Sequence, residues 1–367
     1  MPGPVRFECL HAHPGLQGRR GRLHTPHGIV ETPAFMPVGT QATVKTLASE
    51  DVEEIGFQML LCNAYHLTVR PGSQAISELG GLHKFMGWNG AILTDSGGFQ
   101  VMSLAGLRTI SEEGVTFRNH VDGSALHLTP ESVIQAQAAL GVDVSMVLDV
   151  CPGFPCEREE NERSVRLTQL WAERSKQAEA ENQSTFGIVQ GGVHEDLRKL
   201  SAKALVDLDF EGYAIGGVSV GEPNLMQSTV VRETAPLLPK EKPRYLMGVG
   251  HPQDILHAVE HGIDLFDCVL PTRLARHRSL YTLHGRVNLS AAKWARHDGP
   301  VDELSVFPGL ERYTAAYLRH LFQAQEPLGP RLATLHNLGF YHRLMAEIRQ
   351  ALQEGTWDAL RERYRDA

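Results

Sequence analysis

Ala91-Ile92-Leu93-Thr94-Asp95-Ser96-Gly97-Gly98 is an apolar run that ends in an aspartate and a glycine turn. Residues 91–95 read as a short strand buried on both faces, because no polar residue alternates with the apolar ones before Thr94. Similar β-rich runs recur at 33–38, 58–63, 144–149, 185–190, 212–216, 244–248 and 263–267, many of them also ending in Gly, Asp, Asn or Gln. Segments of helical composition, such as 160–183 and 252–261, separate most of them. Eight buried parallel strands alternating with helices predict an α/β fold, a closed (β/α)8 TIM barrel. A doubly wound sheet would alternate in the same way, but its GxGxxG turn after the first strand is absent. Residues 6–29 predict a β-hairpin across the barrel bottom. Residues 298–329 break the rhythm ahead of a long final helix around 340–355. The chain, 1–367, therefore reads as a single barrel domain with an insertion before its last helix.

The composition fits that reading. Of 367 residues, 42% are hydrophobic and 21% charged, enough apolar material for a large core in a water-soluble chain. The start, Met1-Pro2-Gly3-Pro4, lacks the basic and apolar regions of a signal peptide, and no stretch has the length of a membrane span. The cysteines (Cys9, Cys62, Cys151, Cys156, Cys268) form no CxxC pair, and their odd number predicts reduced thiols in a cytoplasmic protein. A net charge of −8 excludes a general nucleic-acid coat protein. Yet residues 268–297 carry Arg273, Arg276, Arg278, Arg286, Lys293 and Arg296 with no Asp or Glu. Such segregation in an acidic chain predicts a docking surface for a polyanion, unless acidic partners come from elsewhere in the sequence.

Chemistry in this kind of barrel sits at the C-terminal ends of the strands. Three of those ends carry carboxylates: Asp95, Asp149 and Asp267. Two carboxylates flanking a glycosidic bond can break it, one meeting the anomeric carbon and the other handling protons. A third, with the Gln190 amide and the Gly216-Gly217 turn, can read the donors and acceptors on a purine edge. Phe99 and Met247 can cover the faces of the base. Taken singly, each aspartate can equally be the N-cap of the following helix; their recurrence at three strand ends favours a site.

At this point the motifs resemble those of the tRNA-guanine transglycosylases, the bacterial type of the queuine tRNA-ribosyltransferase family. The resemblance rests on residues 94–104 (TDSGGFQVMSL), 188–192 (IVQGG), 214–217 (AIGG), 245–250 (YLMGVG) and 264–273 (DLFDCVLPTR), in the family's order and over essentially the whole chain. It implies a barrel pentosyltransferase of queuosine biosynthesis. Such an enzyme exchanges the wobble guanine of tRNA for a 7-deazaguanine. On that resemblance Asp267 is the nucleophile and Asp95 the general acid/base. Phe99, Asp149, Gln190, Gly217, Val218 and Met247 bind the base, and Arg273, Arg276 and Arg278 contact the anticodon loop. Val220 and Cys151 match members that use the smaller 7-aminomethyl-7-deazaguanine. No redox or nucleotide cofactor is implied, and a homodimer is.

The sequence also departs from the family. The zinc motif C-x-C-x2-C is replaced by Asp302-Glu303-Leu304-Ser305-Val306-Phe307, and only His336 of the ligand set remains. The expectation is that no zinc is bound, that 298–339 replaces the zinc subdomain, and that Val306, Phe307, Leu310, Tyr313 and Tyr317 hold it by packing. After Arg273 a turn glycine is replaced by Arg278. The lost cysteines also admit a catalytically silent tRNA-binding subunit, although Asp267 and Asp95 are kept. A glycoside hydrolase on the same barrel leaves the basic run unexplained.

Overall fold

The computed structural model describes residues 5–98, 108–181, 183–302 and 309–367. The chain begins with an antiparallel sheet of β1 (Arg6–Ala12), β2 (Arg19–Thr25) and β3 (Gly28–Thr32). The expected hairpin is thus a three-stranded meander. Gly28, at φ +114°, turns the chain back, and Val30 and Thr32 then face inward while Ile29 is exposed.

The next strands are β4 (Ala34–Met36), β5 (Val38–Gly39), β6 (Met59–Asn63) and β7 (Ala91–Asp95). An excursion follows, made of β8 (Arg108–Ile110), β9 (Val115–Arg118) and β10 (Ala125–Leu128). The chain returns through β11 (Val144–Met146), β12 (Thr185–Val189), β13 (Gly212–Ile215), β14 (Arg244–Leu246) and β15 (Leu265–Asp267). One parallel sheet runs β4-β15-β14-β13-β12-β11-β7-β6-β5. Its two ends, β4 and β5, are halves of one stave divided at Pro37, which has no N–H to give. The Pro37 carbonyl still accepts from the Leu61 amide at 3.0 Å. The sheet therefore closes on itself as eight staves, the predicted barrel. Ile92, Phe186, Ile188, Ala214, Tyr245 and Phe266 are among the fully buried side chains of its core. Each large one contributes roughly 1.5–3 kcal/mol by leaving water. Helices such as Arg158–Ala178, Glu195–Asp207 and Pro252–Glu260 lie between successive staves.

The meander covers the N-terminal end of the barrel. The Val5 amide donates to Ser184 Oγ at 2.8 Å, just ahead of β12. The Arg19 guanidinium grips Asp264, just ahead of β15, through two bonds of 2.9 and 2.6 Å. His27 reaches Asp143, just ahead of β11. At the other end, β8–β10 form a separate antiparallel sheet not anticipated from the sequence. Val115 and Phe117 point into a second core with Tyr65, Leu128, Val133, Leu148 and Trp171, while Thr116 and Arg118 are exposed.

The last long helix is Leu328–Glu354 and begins well before residue 340, because Leu332, Leu335 and Leu338 continue its buried face. Ahead of it lies the helix Ala315–Gln323. Leu310 is buried and Tyr313 packs against the core, whereas Tyr317 is 40% exposed and stacks on the Tyr313 ring at 5.8 Å. Val306 and Phe307 lie outside the described residues. No helix among the described residues is long and apolar enough to cross a membrane.

Candidate active site

Asp267 ends β15, Asn63 ends β6, Asp95 ends β7 and Asp149 follows β11. Gln190 follows β12, Gly216 and Gly217 follow β13, and Met247 and Gly248 follow β14. Staves β6, β7, β11, β12, β13, β14 and β15 follow one another around the barrel, with β4 and β5 between β15 and β6, so these residues share its C-terminal rim.

Asp95 pairs in register with Asn63 on β6. The Asn63 side chain does two things: Oδ1 accepts the His66 amide and caps the helix Ala64–Val69, and Nδ2 donates to Asp95 Oδ2 at 2.6 Å. The other Asp95 oxygen is buried without a hydrogen-bond partner. Burial, and then the nearby Asp267 charge, push the Asp95 carboxyl up to about 8 against the Asn63 hydrogen bond. It is therefore protonated at neutral pH, the state a general acid needs.

Asp267 is prepared differently. Its Oδ1 accepts from the Tyr245 hydroxyl at 2.6 Å and the Gly248 amide at 2.8 Å. Burial raises its carboxyl, and these two donors oppose the rise by favouring the carboxylate. Among the described residues nothing hydrogen bonds to Oδ2, so one oxygen is fixed and the other has no donor.

Asp149 Oδ2 accepts from Gln190 Nε2 at 2.6 Å. Burial lifts this carboxyl to about 6, with the Gln190 bond opposing. Gln190 Oε1 is buried and unpartnered. Gly217, at φ +63°, sits so close that an added Cβ would lie 2.4 Å from it. A Cβ at Gly98 would lie 2.5 Å from Asp149 Oδ1. The two glycines keep the acceptors of Asp149 and Gln190 clear for a flat ligand. Val218 is buried beside them and Met247 is half-buried. Phe99 lies outside the described residues.

Three residues that the sequence reading passed over organise this rim: Asn63, Tyr245 and Arg198. Arg198 is 1% exposed and has no carboxylate partner among the described residues. Its guanidinium binds the carbonyls of Gly192 (2.8 Å), Val189 (3.1 Å), Gly216 (2.7 Å) and Gly217 (3.2 Å). One side chain thereby fixes the β12 and β13 loops that carry Gln190 and Gly217. Burial lowers its own value to about 10, still charged at neutral pH.

The basic run lies beyond β15. Arg273 is exposed on the helix Leu270–Arg276, Arg276 is half-buried and Arg278 is exposed. Among the described residues neither these three nor Arg286, Lys293 and Arg296 form an ion pair with a carboxylate. Arg278 takes φ +67°, a left-handed conformation, at the position of the missing turn glycine.

A closed barrel with paired carboxylates on its C-terminal rim suits chemistry at a glycosidic bond. The queuine tRNA-ribosyltransferase family matches residues 15–367, and the chain belongs to that family. Curated relatives named queuine tRNA-ribosyltransferase include one from Symbiobacterium thermophilum, 51% identical over 98% of this chain and 90% of the relative. One from Pelotomaculum thermopropionicum is 53% identical over 96% of this chain and 95% of its own. One from Bacillus subtilis is 50% identical over 98% and 95%.

The family resemblance implies a zinc ion whose remaining ligand in this chain is His336. His336 is buried, and its Nε2 lies 2.8 Å from the Tyr281 carbonyl, which can only accept; that nitrogen therefore carries the proton. No cysteine follows Cys268. No group of three converging ligand side chains among the described residues includes His336. The described residues there do not fit a closed tetrahedral zinc site.

Proposed function

We propose that this pentosyltransferase exchanges the wobble guanine of a tRNA for a 7-deazaguanine, with 7-aminomethyl-7-deazaguanine the favoured base, as a step of queuosine biosynthesis. The division of labour between Asp267 and Asp95 carries the reading: one carboxylate with a free oxygen, the other a neutral acid. Asp267 Oδ2 attacks the ribose C1′ as the bond to guanine N9 breaks, and the Asp95 proton goes to the leaving base. The incoming base returns the process: its N9 bonds to C1′, its N9 proton passes to Asp95, and the Asp267 ester breaks. One glycosidic bond replaces another of similar energy, so the exchange needs no redox or nucleotide cofactor.

Asp149, with one oxygen on Gln190 and the other free, accepts N–H donors from the base edge; Gln190, Gly217 and Val218 complete that edge. Met247 and Phe99 cover the faces. Val220 beside this loop narrows the space available to a large 7-substituent. The target base must leave its stack to enter, and Arg273, Arg276 and Arg278 hold the anticodon-loop phosphates. The protein works in the cytoplasm as a homodimer, and 298–339 takes the place of the zinc subdomain, supported by the apolar packing of Leu310 and Tyr313. Asp267→Asn abolishes covalent trapping of RNA on denaturing gels, and Asp149→Asn mainly raises KM for the base. Wild-type exchange by Asp267→Asn would overturn the nucleophile.

A further inference from the structure

At the opposite end of the barrel from the carboxylate rim, three metal-ligating side chains meet. His27 Nδ1 lies 2.9 Å from Asp143 Oδ1, and His83 Nε2 lies 3.1 Å from Asp143 Oδ2. The two imidazoles are nearly parallel, 3.6 Å between centroids and 16° between planes. Their ligand atoms and a carboxylate oxygen all fall within 4.8 Å of one another. The Asp143 side chain is fully buried, while His83 is 13% and His27 39% exposed. The carboxylate is held by the amides of Ile92 (2.8 Å) and His27 (3.2 Å), which fix it as a supporting shell does in a metal site.

We propose that His27, His83 and Asp143 form a binding site for a divalent transition cation of the zinc class. Two imidazole nitrogens and one carboxylate are its preferred N/O donors, and solvent beside exposed His27 supplies water as the fourth ligand. Each histidine gives a lone pair from the nitrogen now facing Asp143, and the ring proton moves to its other nitrogen. The stacked planes must open for both lone pairs to converge on one ion, a movement the exposure of His27 permits.

The three ligands come from separate parts of the chain: the β2–β3 turn, the helix Leu82–Met86 and the residue just ahead of β11. An ion here ties the N-terminal meander to the barrel bottom. The site is remote from the rim, so it is a structural fastening independent of base exchange.

The other converging trio among the described residues, His257, Glu260 and His261, is already engaged. His257 Nε2 faces the Ser228 carbonyl, and Glu260 binds Trp357 and Arg361. It serves as the control.

The test is equilibrium dialysis of chelator-treated full-length protein against Zn2+ alone, with visible absorption of the Co2+ form reporting tetrahedral ligation. One equivalent binds to the parent and to His257→Gln. His27→Gln and His83→Gln, both at partly exposed positions, weaken that binding at least about tenfold while keeping base exchange, since each removes one of three protein ligands. Melting is the second readout: the same Zn2+ concentration raises Tm of the parent by more than it raises Tm of His83→Gln. Absence of saturable binding by the parent overturns the proposal, as does equal binding by His27→Gln and His83→Gln; in either case the cluster is a hydrogen-bonded pin only.

Discussion

Asp95 and Asp149 are both raised by burial, yet they fall on opposite sides of neutrality. At about 8, Asp95 keeps its proton at pH 7; at about 6, Asp149 has mostly lost it. The pH dependence of the two half-tasks should therefore split. Formation of the covalent RNA adduct, which uses the Asp95 proton, declines as pH rises through about 8. Base affinity, which uses the Asp149 carboxylate, weakens as pH falls through about 6. Single-turnover trapping and KM for guanine, each followed from pH 5 to 9, measure them separately; adduct formation that accelerates above pH 8 would exclude Asp95 as the acid. Stability carries the same signature. The folded chain holds the Asp95 proton more tightly than the unfolded chain, so this group lowers stability progressively from about pH 4 to pH 8. The rim positions of Asp95, Asp149 and Asp267 were legible because a carboxylate at the end of an apolar strand is out of place. Asn63, Tyr245 and Arg198 were not. Each is an ordinary residue in sequence, and its role depends on a partner brought close only by barrel closure, as when Arg198 meets the carbonyls of Gly216 and Gly217.

Among the elements, the turn after helix Leu270–Arg276 shows a local rule overridden. Arg278 is left-handed, a conformation that costs about 1–2 kcal/mol for a residue with a Cβ. It is held there by the hydrogen bond its amide donates to the Ala275 carbonyl and by the Leu289 amide donating to its own carbonyl. Arg278→Gly relieves that strain, although glycine's greater freedom in the unfolded chain offsets part of the gain. The expected outcome is unchanged or slightly higher stability, by up to about 1 kcal/mol, in denaturant melts. tRNA affinity should fall, and the slope of log Kd against log salt should shrink by about 0.7 for one lost phosphate contact on a single strand. Unaltered tRNA affinity would remove Arg278 from the interface. The barrel strands themselves could be read from their continuous apolar runs, and β7 falls on residues 91–95 as anticipated. The β8–β10 sheet escaped notice because its strands are short and only half-buried, so alternation such as Val115, Thr116, Phe117, Arg118 spans too few residues to stand out.

For the molecule as a whole, the meander and barrel are joined by the Arg19–Asp264 pair, whose side chains are 6% and 0% exposed. Arg19 also donates to the carbonyls of Lys240 and Lys242, and Asp264 accepts the Arg244 amide. Arg19→Met leaves a buried carboxylate without its cation and should cost about 3–5 kcal/mol in urea unfolding. Arg19→Met with Asp264→Leu should recover part of that loss. Since the pair sits at the end of the barrel away from the rim, KM for the base should not move in protein that remains folded.

The seam at Pro37 has a further meaning in time. The first stave, β4 and β5, completes the ring only by pairing with β15, whose last residue is Asp267. While the chain emerges from a ribosome, the edge of β4 remains open until more than two hundred later residues have followed it. The proposed nucleophile arrives with the stave that closes the barrel. A chain interrupted before that point has neither a closed wall nor the proposed reacting group, so on the proposed mechanism synthesis releases no half-built barrel able to begin the exchange and leave an RNA attached to it.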